Sequence, residues 1–292
     1  MRRLGLIVAL FSAAIWAGPA EASTFASVTE TCPVGGEKFT YSAQVSSSSW
    51  GQLPDGMRLG TGPNPYRFAQ CPTNGLVMYR DFDQATIAKL TPLVMSAEYQ
   101  SLRKTETPYY LAYWLARKLG DPDPAWLLLA AGWEAKNIDA ASARARRYAK
   151  EFVALVAGLP ADDTSFTSIA LRARAANALR ELGDFAAAEA MRASIKVSPR
   201  AGGNDPDAAA NRTGWTTFLA SLAPPIARGD PSRDPIDLIG DREAAKRCVD
   251  ADSGSDAGHA KVRALTAFEA TYCTRPELAE MIAKMRTWRS PR

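Results

Sequence analysis

Residues 165–197 read SFTSIALRARAANALRELGDFAAAEAMRASIKV, and their spacing decides the fold. Ile169, Ala173, Ala176, Leu179 and Leu182 recur at helical intervals, Gly183-Asp184 breaks the run, and Phe185, Ala188, Met191 and Ile195 resume it. Small side chains at Ala173, Ala176 and Ala188 let two backbones approach closely. The segment predicts an antiparallel helical hairpin and a mainly α fold.

Working outward, the same punctuation recurs upstream. Helical periodicity begins at Asp83, and Thr91-Pro92, Thr107-Pro108 and Asp123-Pro124 each read as a helix start, since proline in the first turn forfeits no hydrogen bond. Leu111, Trp114, Leu115 and Leu119 mark the face of a helix that stops at Gly120. Trp126, Leu129, Ala130 and Trp133 mark the next; with Leu127, Leu128 and Ala131 it is apolar nearly all round, which predicts the buried centre of the body. Asp139 reads as the cap of a helix running to about Ala157, with Arg144, Arg146, Arg147 and Lys150 as a basic face.

Downstream, Ala201 to Pro206 and Pro224 to Pro235 read as loops around a helix at Trp215–Leu222. Further helices are expected from Asp241 to about Asp250, near Val262 to Ala270, and after Thr274-Arg275-Pro276-Glu277, a capping-box pattern. The last puts Leu278, Met281, Ile282, Met285 and Trp288 on one face.

Ahead of the body, residues 23–83 are rich in Ser, Gly, Pro and aromatics, with weak strand signals at Phe39-Thr40-Tyr41 and Leu76-Val77-Met78-Tyr79. Ser46 to Ser49 is expected to be exposed loop, and packing beneath the turns is the expected role of Trp50, Tyr66 and Phe68. Met1-Arg2-Arg3, the apolar run Leu4 to Ala17 and Ala20-Glu21-Ala22 form the three-part pattern of a secretory signal peptide. The organisation is therefore signal peptide 1–22, head 23–83, helical body 84–200 and helical extension 201–292. A formal charge of +4 on 292 residues, with acids and bases interspersed, does not argue for nucleic acid or a membrane surface. No later stretch is apolar enough to span a bilayer. The address is periplasmic or secreted; the oligomeric state is left open.

The chain has 4 cysteines, and an oxidising compartment favours pairing them. Three connectivities are possible; Cys32 with Cys71 and Cys248 with Cys273 each bracket one compact region. In the chain-entropy picture each bond stabilises the fold by roughly 3 to 4 kcal/mol. Structural zinc needs four thiolate or imidazole ligands, whereas the head supplies only Cys32 and Cys71 and the single histidine, His259, lies far away in a polar loop. No cofactor is expected. No nucleophile elbow, His-Glu-x-x-His pair or phosphate loop occurs. Glu98, Glu134 and Glu151 leave open a periplasmic glycan-acting hydrolase working with paired carboxylates, which requires a deep cleft holding two acids within about 10 Å.

Cys32-Pro33-Val34-Gly35-Gly36-Glu37-Lys38-Phe39 and Cys71-Pro72-Thr73-Asn74-Gly75 resemble zinc knuckles of the form Cys-Pro-x-Cys-Gly whose second cysteines are Gly35 and Asn74. Leu182-Gly183-Asp184-Phe185 with Ala188 resembles the middle of a tetratricopeptide repeat. Together with Asn64-Pro65-Tyr66 and Ala125-Trp126-Leu127, the order over residues 30–200 is similar to an uncharacterised family of bacterial proteins. That family joins a zinc-ribbon-like head to tetratricopeptide-like helices. The resemblance implies zinc in the head and interaction through the helices, with no defined activity; here the missing ligands imply a disulfide in place of the metal. The leading expectation is a non-catalytic module that binds a protein or peptide of the cell envelope in the groove between helical hairpins. Its contact candidates are Arg144, Arg147 and Lys150 and, on the exposed edge of the 166–182 helix, Arg172 and Arg180.

Overall fold

The computed structural model describes residues 23–160, 163–253 and 262–289. The expected signal peptide and His259 lie outside the described residues. The fold is mainly α with a small β head: β1 (Thr24–Thr31), β2 (Lys38–Ser46), β3 (Ser49–Gln52), β4 (Arg58–Gly60), β5 (Ala69–Gln70) and β6 (Val77–Met78) form three antiparallel two-stranded ribbons. The helices follow as α1 (Gln84–Met95), α2 (Ala97–Thr105), α3 (Pro108–Leu119), α4 (Pro124–Asp139), α5 (Ala143–Ala157), α6 (Phe166–Leu182) and α7 (Phe185–Ser194). The C-terminal part holds α8 (Ala208–Ala227), α9 (Asp241–Ser253), α10 (Ala267–Tyr272) and α11 (Pro276–Arg289).

Local chemistry sets most of these boundaries. The Asp83, Thr107 and Ser165 side chains accept the N–H groups of Thr86, Tyr110 and Ser168, and Gly120 and Gly183 close their helices in the left-handed region that glycine adopts freely. Four boundaries differ from expectation. Pro92 lies inside α1, because Asp83 has already nucleated the helix more than two turns upstream. Ser142, accepting from Ala145 N–H, caps α5, while Asp139 is the last residue of α4. Helix α8 runs through Pro224 and Pro225, its last turn held by the burial of Leu222, Pro225 and Ile226. The expected 262–270 helix is shifted: it starts at Ala267, behind Thr266 and Glu269, which form a reciprocal capping box.

The helices stack in two layers. Tyr110 of α3 lies on Tyr148 of α5 at a centroid distance of 4.6 Å, which places these helices side by side in an outer layer. In the inner layer, the Lys136 ammonium of α4 meets the Glu181 carboxylate of α6 at 2.7 Å, and Arg174 of α6 lies over Trp215 and Phe218 of α8 at 5.3 and 4.7 Å. Ala173, Ala176 and Ala188 are fully buried, which lets α6 and α7 close as a hairpin. The buried centre is α6, not α4: Trp126 of α4 is exposed, whereas α6 is buried along most of its length, including its polar Arg174, Asn177 and Arg180.

Head and body share cores. Cys32, Val34, Cys71, Leu76 and Val77 pack with Leu90, Val94, Tyr99, Leu111 and Leu115 of α1–α3. Leu53 and Met57, from the β3–β4 turn, pack instead with Ile236, Ile239, Val249, Leu278 and Ile282, so α9 and α11 close over that turn.

Candidate functional site

The head consists of one turn used twice. In the first copy Cys32 N–H donates to Glu37 O at 2.8 Å and Gly36 N–H to Cys32 O at 3.1 Å; in the second, Cys71 N–H donates to Leu76 O and Gly75 N–H to Cys71 O, both at 2.9 Å. The Cys32 and Cys71 sulfurs lie 2.08 Å apart, at bonding distance, with Cα atoms separated by 5.6 Å. Asn74 occupies the corner where a knuckle carries its second cysteine. Its Nδ2 donates to Val34 O at 2.6 Å, and its Oδ1 accepts Leu76 N–H at 2.9 Å. Sulfur, amide and backbone thus converge at the four knuckle corners. The Glu37 carboxylate also lies within 4.8 Å of both sulfurs. It is engaged by Thr73 N–H at 2.9 Å, and sulfurs joined to each other have no thiolate to offer a metal. The residues present therefore fit a disulfide clasp. Helix α2 grips it: Tyr99 OH donates to Gly75 O at 2.8 Å, and Arg103 donates to Pro72 O and Thr73 O at 2.7 and 2.8 Å.

One face of α4 and α6 is covered by the chain itself. Leu53-Pro54-Asp55-Gly56-Met57 reaches it from the β3–β4 turn. Trp133 Nε1 donates to Asp55 O at 3.3 Å, and Arg174 donates to Pro54 O at 2.6 Å. The Asp55 carboxylate, 2 % exposed, accepts from Lys136 Nζ at 2.6 Å and from Met57 N–H at 3.0 Å. Lys136 Nζ also donates to Glu181 at 2.7 Å, so one buried ammonium serves two carboxylates. Burial alone would raise the Asp55 carboxyl, but Lys136 and Arg233 outweigh it and hold it below the ordinary carboxylate range. Burial likewise opposes the charge on Lys136, yet its two acids raise its pKa. Arg174 is pushed down to about 10 by burial, with Asp55 acting against the shift. A cavity of about 20 Å³ beside Asp55, Lys136 and Arg174 holds no more than about one water.

Arg180 corrects an expectation. Its side chain is fully buried rather than exposed, donating to Asp230 O and Ser232 O at 2.6 and 2.7 Å and to Asn177 Oδ1 at 2.9 Å. The segment after α8 covers it. Arg172 is half-buried and serves the carbonyls of Leu159 and Pro160 at 3.2 and 2.6 Å, closing the end of α5. Neither arginine forms a stripe with Arg144, Arg147 and Lys150.

Those three lie on α5 in the outer layer, where Arg144 is half-buried and Arg147 and Lys150 are exposed. Arg147 lies over the rings of Tyr110 and Tyr148 at 5.2 and 4.9 Å and donates to Glu106 at 2.6 Å. Beside it, Tyr110, Tyr113, Trp114, Arg117, Lys118 and Glu151 line a surface groove of about 310 Å³. Both Glu151 oxygens accept tyrosine hydroxyls, from Tyr110 and Tyr113, at 3.0 Å each. Arg117 sits 5.9 Å from the Tyr113 ring and Lys118 5.0 Å from that of Trp114. Burial and the Glu151 carboxylate push the Tyr110 phenol up to about 12, so it remains a donor. This groove, absent from the sequence reading, joins the last turn of α3 to the basic face of α5.

The remaining carboxylates go elsewhere. Glu134 accepts Tyr109 N–H at 2.9 Å at the start of α3, and burial raises its pKa. Glu98 accepts from Trp114 Nε1 at 3.1 Å. The head aromatics also have separate partners: Trp50 donates to Glu243 at 2.9 Å, and Phe68 packs on Tyr109 at 4.1 Å. Among the described residues, no helix is long and apolar enough to cross a membrane. The chain matches no family model, no curated protein and no solved structure.

Proposed function

We propose that this chain is an exported, non-catalytic binding protein that engages a protein or peptide of the cell envelope through its outer face. The observation that carries this reading is the covered face of α4 and α6: with Pro54 and Asp55 seated there, a partner has to be met elsewhere. A surface open to a partner is the groove between α3 and α5, with Arg117, Lys118 and Arg147 parked on aromatic rings around it. Trp114 has Tyr99 within 5.6 Å and Lys118 within 5.0 Å, and Tyr110 is stacked on Tyr148, so the rings are occupied by neighbours rather than open for a sugar to stack on. Fixed cations above rings suit acidic side chains and backbone carbonyls of a polypeptide.

Glycan hydrolysis gains no support from the carboxylates that the fold gathers. Asp55 and Glu181 share Lys136 beside a cavity of about 20 Å³, far too small for a sugar ring.

Site-specific photo-crosslinking in intact cells tests the reading. A photoreactive residue at position 117 or 150 is expected to give discrete adducts that a second change, Arg147→Glu, removes. The same residue at position 194, at the end of α7, is expected to give none. Adducts from 194 alone, or none from 117 and 150, would refute the outer-face assignment.

A further inference from the structure

The two disulfides differ in access to one sulfur: Cys248, 2 % exposed, is as buried as the head pair, whereas Cys273 is not. Cys32 and Cys71 are 1 % and 0 % exposed, enclosed by Val34, Leu76, Leu90 and Tyr99. Cys248 and Cys273, with sulfurs 1.99 Å apart, both line a surface pocket of about 270 Å³, and Cys273 is only half-buried. Arg275 and Arg286 line the same pocket, with Asp252, the acid paired with Arg286. Cys273 caps the end of α10, three residues before α11 begins. Thiol–disulfide exchange needs a path for a thiolate to one sulfur and stabilisation of the sulfur that leaves; cations near the bond favour both.

We propose that Cys248–Cys273 is a thiol-exchange site, open to a dithiol reductant while the rest of the protein stays folded. A reductant thiolate attacks Cys273 Sγ through the pocket. The Cys248–Cys273 bond breaks, a mixed disulfide forms at Cys273, and Cys248 departs as a thiolate that takes a proton from water. The reductant's second thiol then attacks its own sulfur in the mixed disulfide. Cys273 leaves as a thiolate that is protonated in turn, and the reductant departs as a disulfide, oxidised by two electrons while the protein bond is reduced by two. The bond links α9 to the α10–α11 junction, and α9 and α11 cover Leu53 and Met57 of the inserted turn. Its reduction therefore loosens the cover over that turn and leaves the head clasp intact.

The test treats the oxidised native protein with dithiothreitol, quenches with iodoacetamide at timed intervals and maps the labelled cysteines by peptide mass. Cys248 and Cys273 are expected to label faster than Cys32 and Cys71 by about tenfold or more, since access to a sulfur limits exchange. Hydrogen exchange of the partly reduced protein is expected to rise in residues 276–287 and 53–57 and not in α3. Labelling of all four cysteines at one rate, or of the head pair first, would overturn the proposal, because reduction would then require global unfolding. Arg275→Gln is expected to slow labelling of Cys273 severalfold at unchanged Tm; an unchanged rate would overturn the part assigned to the cation.

Discussion

Replacing either side of the Asp55–Lys136 pair measures how firmly the β3–β4 turn is held in the body. Asp55 and Lys136 are buried, with side chains 3 % and 10 % exposed, and Glu181 shares the ammonium from the other side. Asp55→Ala removes one of two acids and leaves Lys136 paired with Glu181. Lys136→Met leaves two buried carboxylates facing each other with their shared cation gone. Breaking a buried pair from one side costs about 3 to 5 kcal/mol. Asp55→Ala therefore belongs near the lower end, at about 3 kcal/mol, and Lys136→Met near the upper, at about 5 kcal/mol. Urea unfolding with both disulfides intact reads the difference as a shift in midpoint at constant slope. The pH dependence supplies a second reading. The Asp55 pKa is depressed in the folded protein, so its contribution is present above the unfolded value near 3.9 and is lost as pH falls through the lower folded value. Asp55→Ala should accordingly flatten the acid limb of the stability curve. If Lys136→Met cost less than Asp55→Ala, or both cost under about 1 kcal/mol, the turn would be a surface attachment that does not fill the face of α4 and α6.

Further outcomes follow from neighbouring contacts. Arg180→Leu, which removes donors from two carbonyls and from Asn177 in the buried layer, is expected to lower stability by about 3 kcal/mol, whereas Lys150→Ala on the exposed face should change it by less than about 0.5 kcal/mol; thermal unfolding of the two variants compares them directly. Gly56 has φ +89°, and a β-carbon there would lie 2.9 Å from Arg174 Nε, so Gly56→Ala should cost about 1 to 3 kcal/mol, read from the same melts. Burial alone would raise the Glu269 carboxyl, but Arg263, Thr266 N–H and Arg247 bring it down to about 2. Its contribution is therefore complete above the ordinary glutamate value and fades as pH falls from there towards 2, and Glu269→Gln should abolish that part of the acid dependence in a pH series of melting temperatures.

What is local was legible in the amino-acid order. Capping side chains, prolines in first turns and closing glycines are read within four residues, and they set the boundaries of α3, the start of α4 and the α6–α7 turn because the hydrogen bonds involved span one turn. The cysteine pairing was legible for a related reason: each pair brackets a compact region, so the short path along the chain is also the short path in space. Tertiary structure alone decided which polar stripe faces water. Arg174 and Arg180 are polar positions on a helix, and they are buried because partners 120 and 50 residues away, at Pro54 and Asp230, supply the carbonyls that replace water. Hydrophobic periodicity carries no information about such distant acceptors. Nothing local marks Asp55 and Lys136 as partners; only the folded chain brings that carboxylate to that ammonium and so seats the Leu53–Met57 turn on α4 and α6.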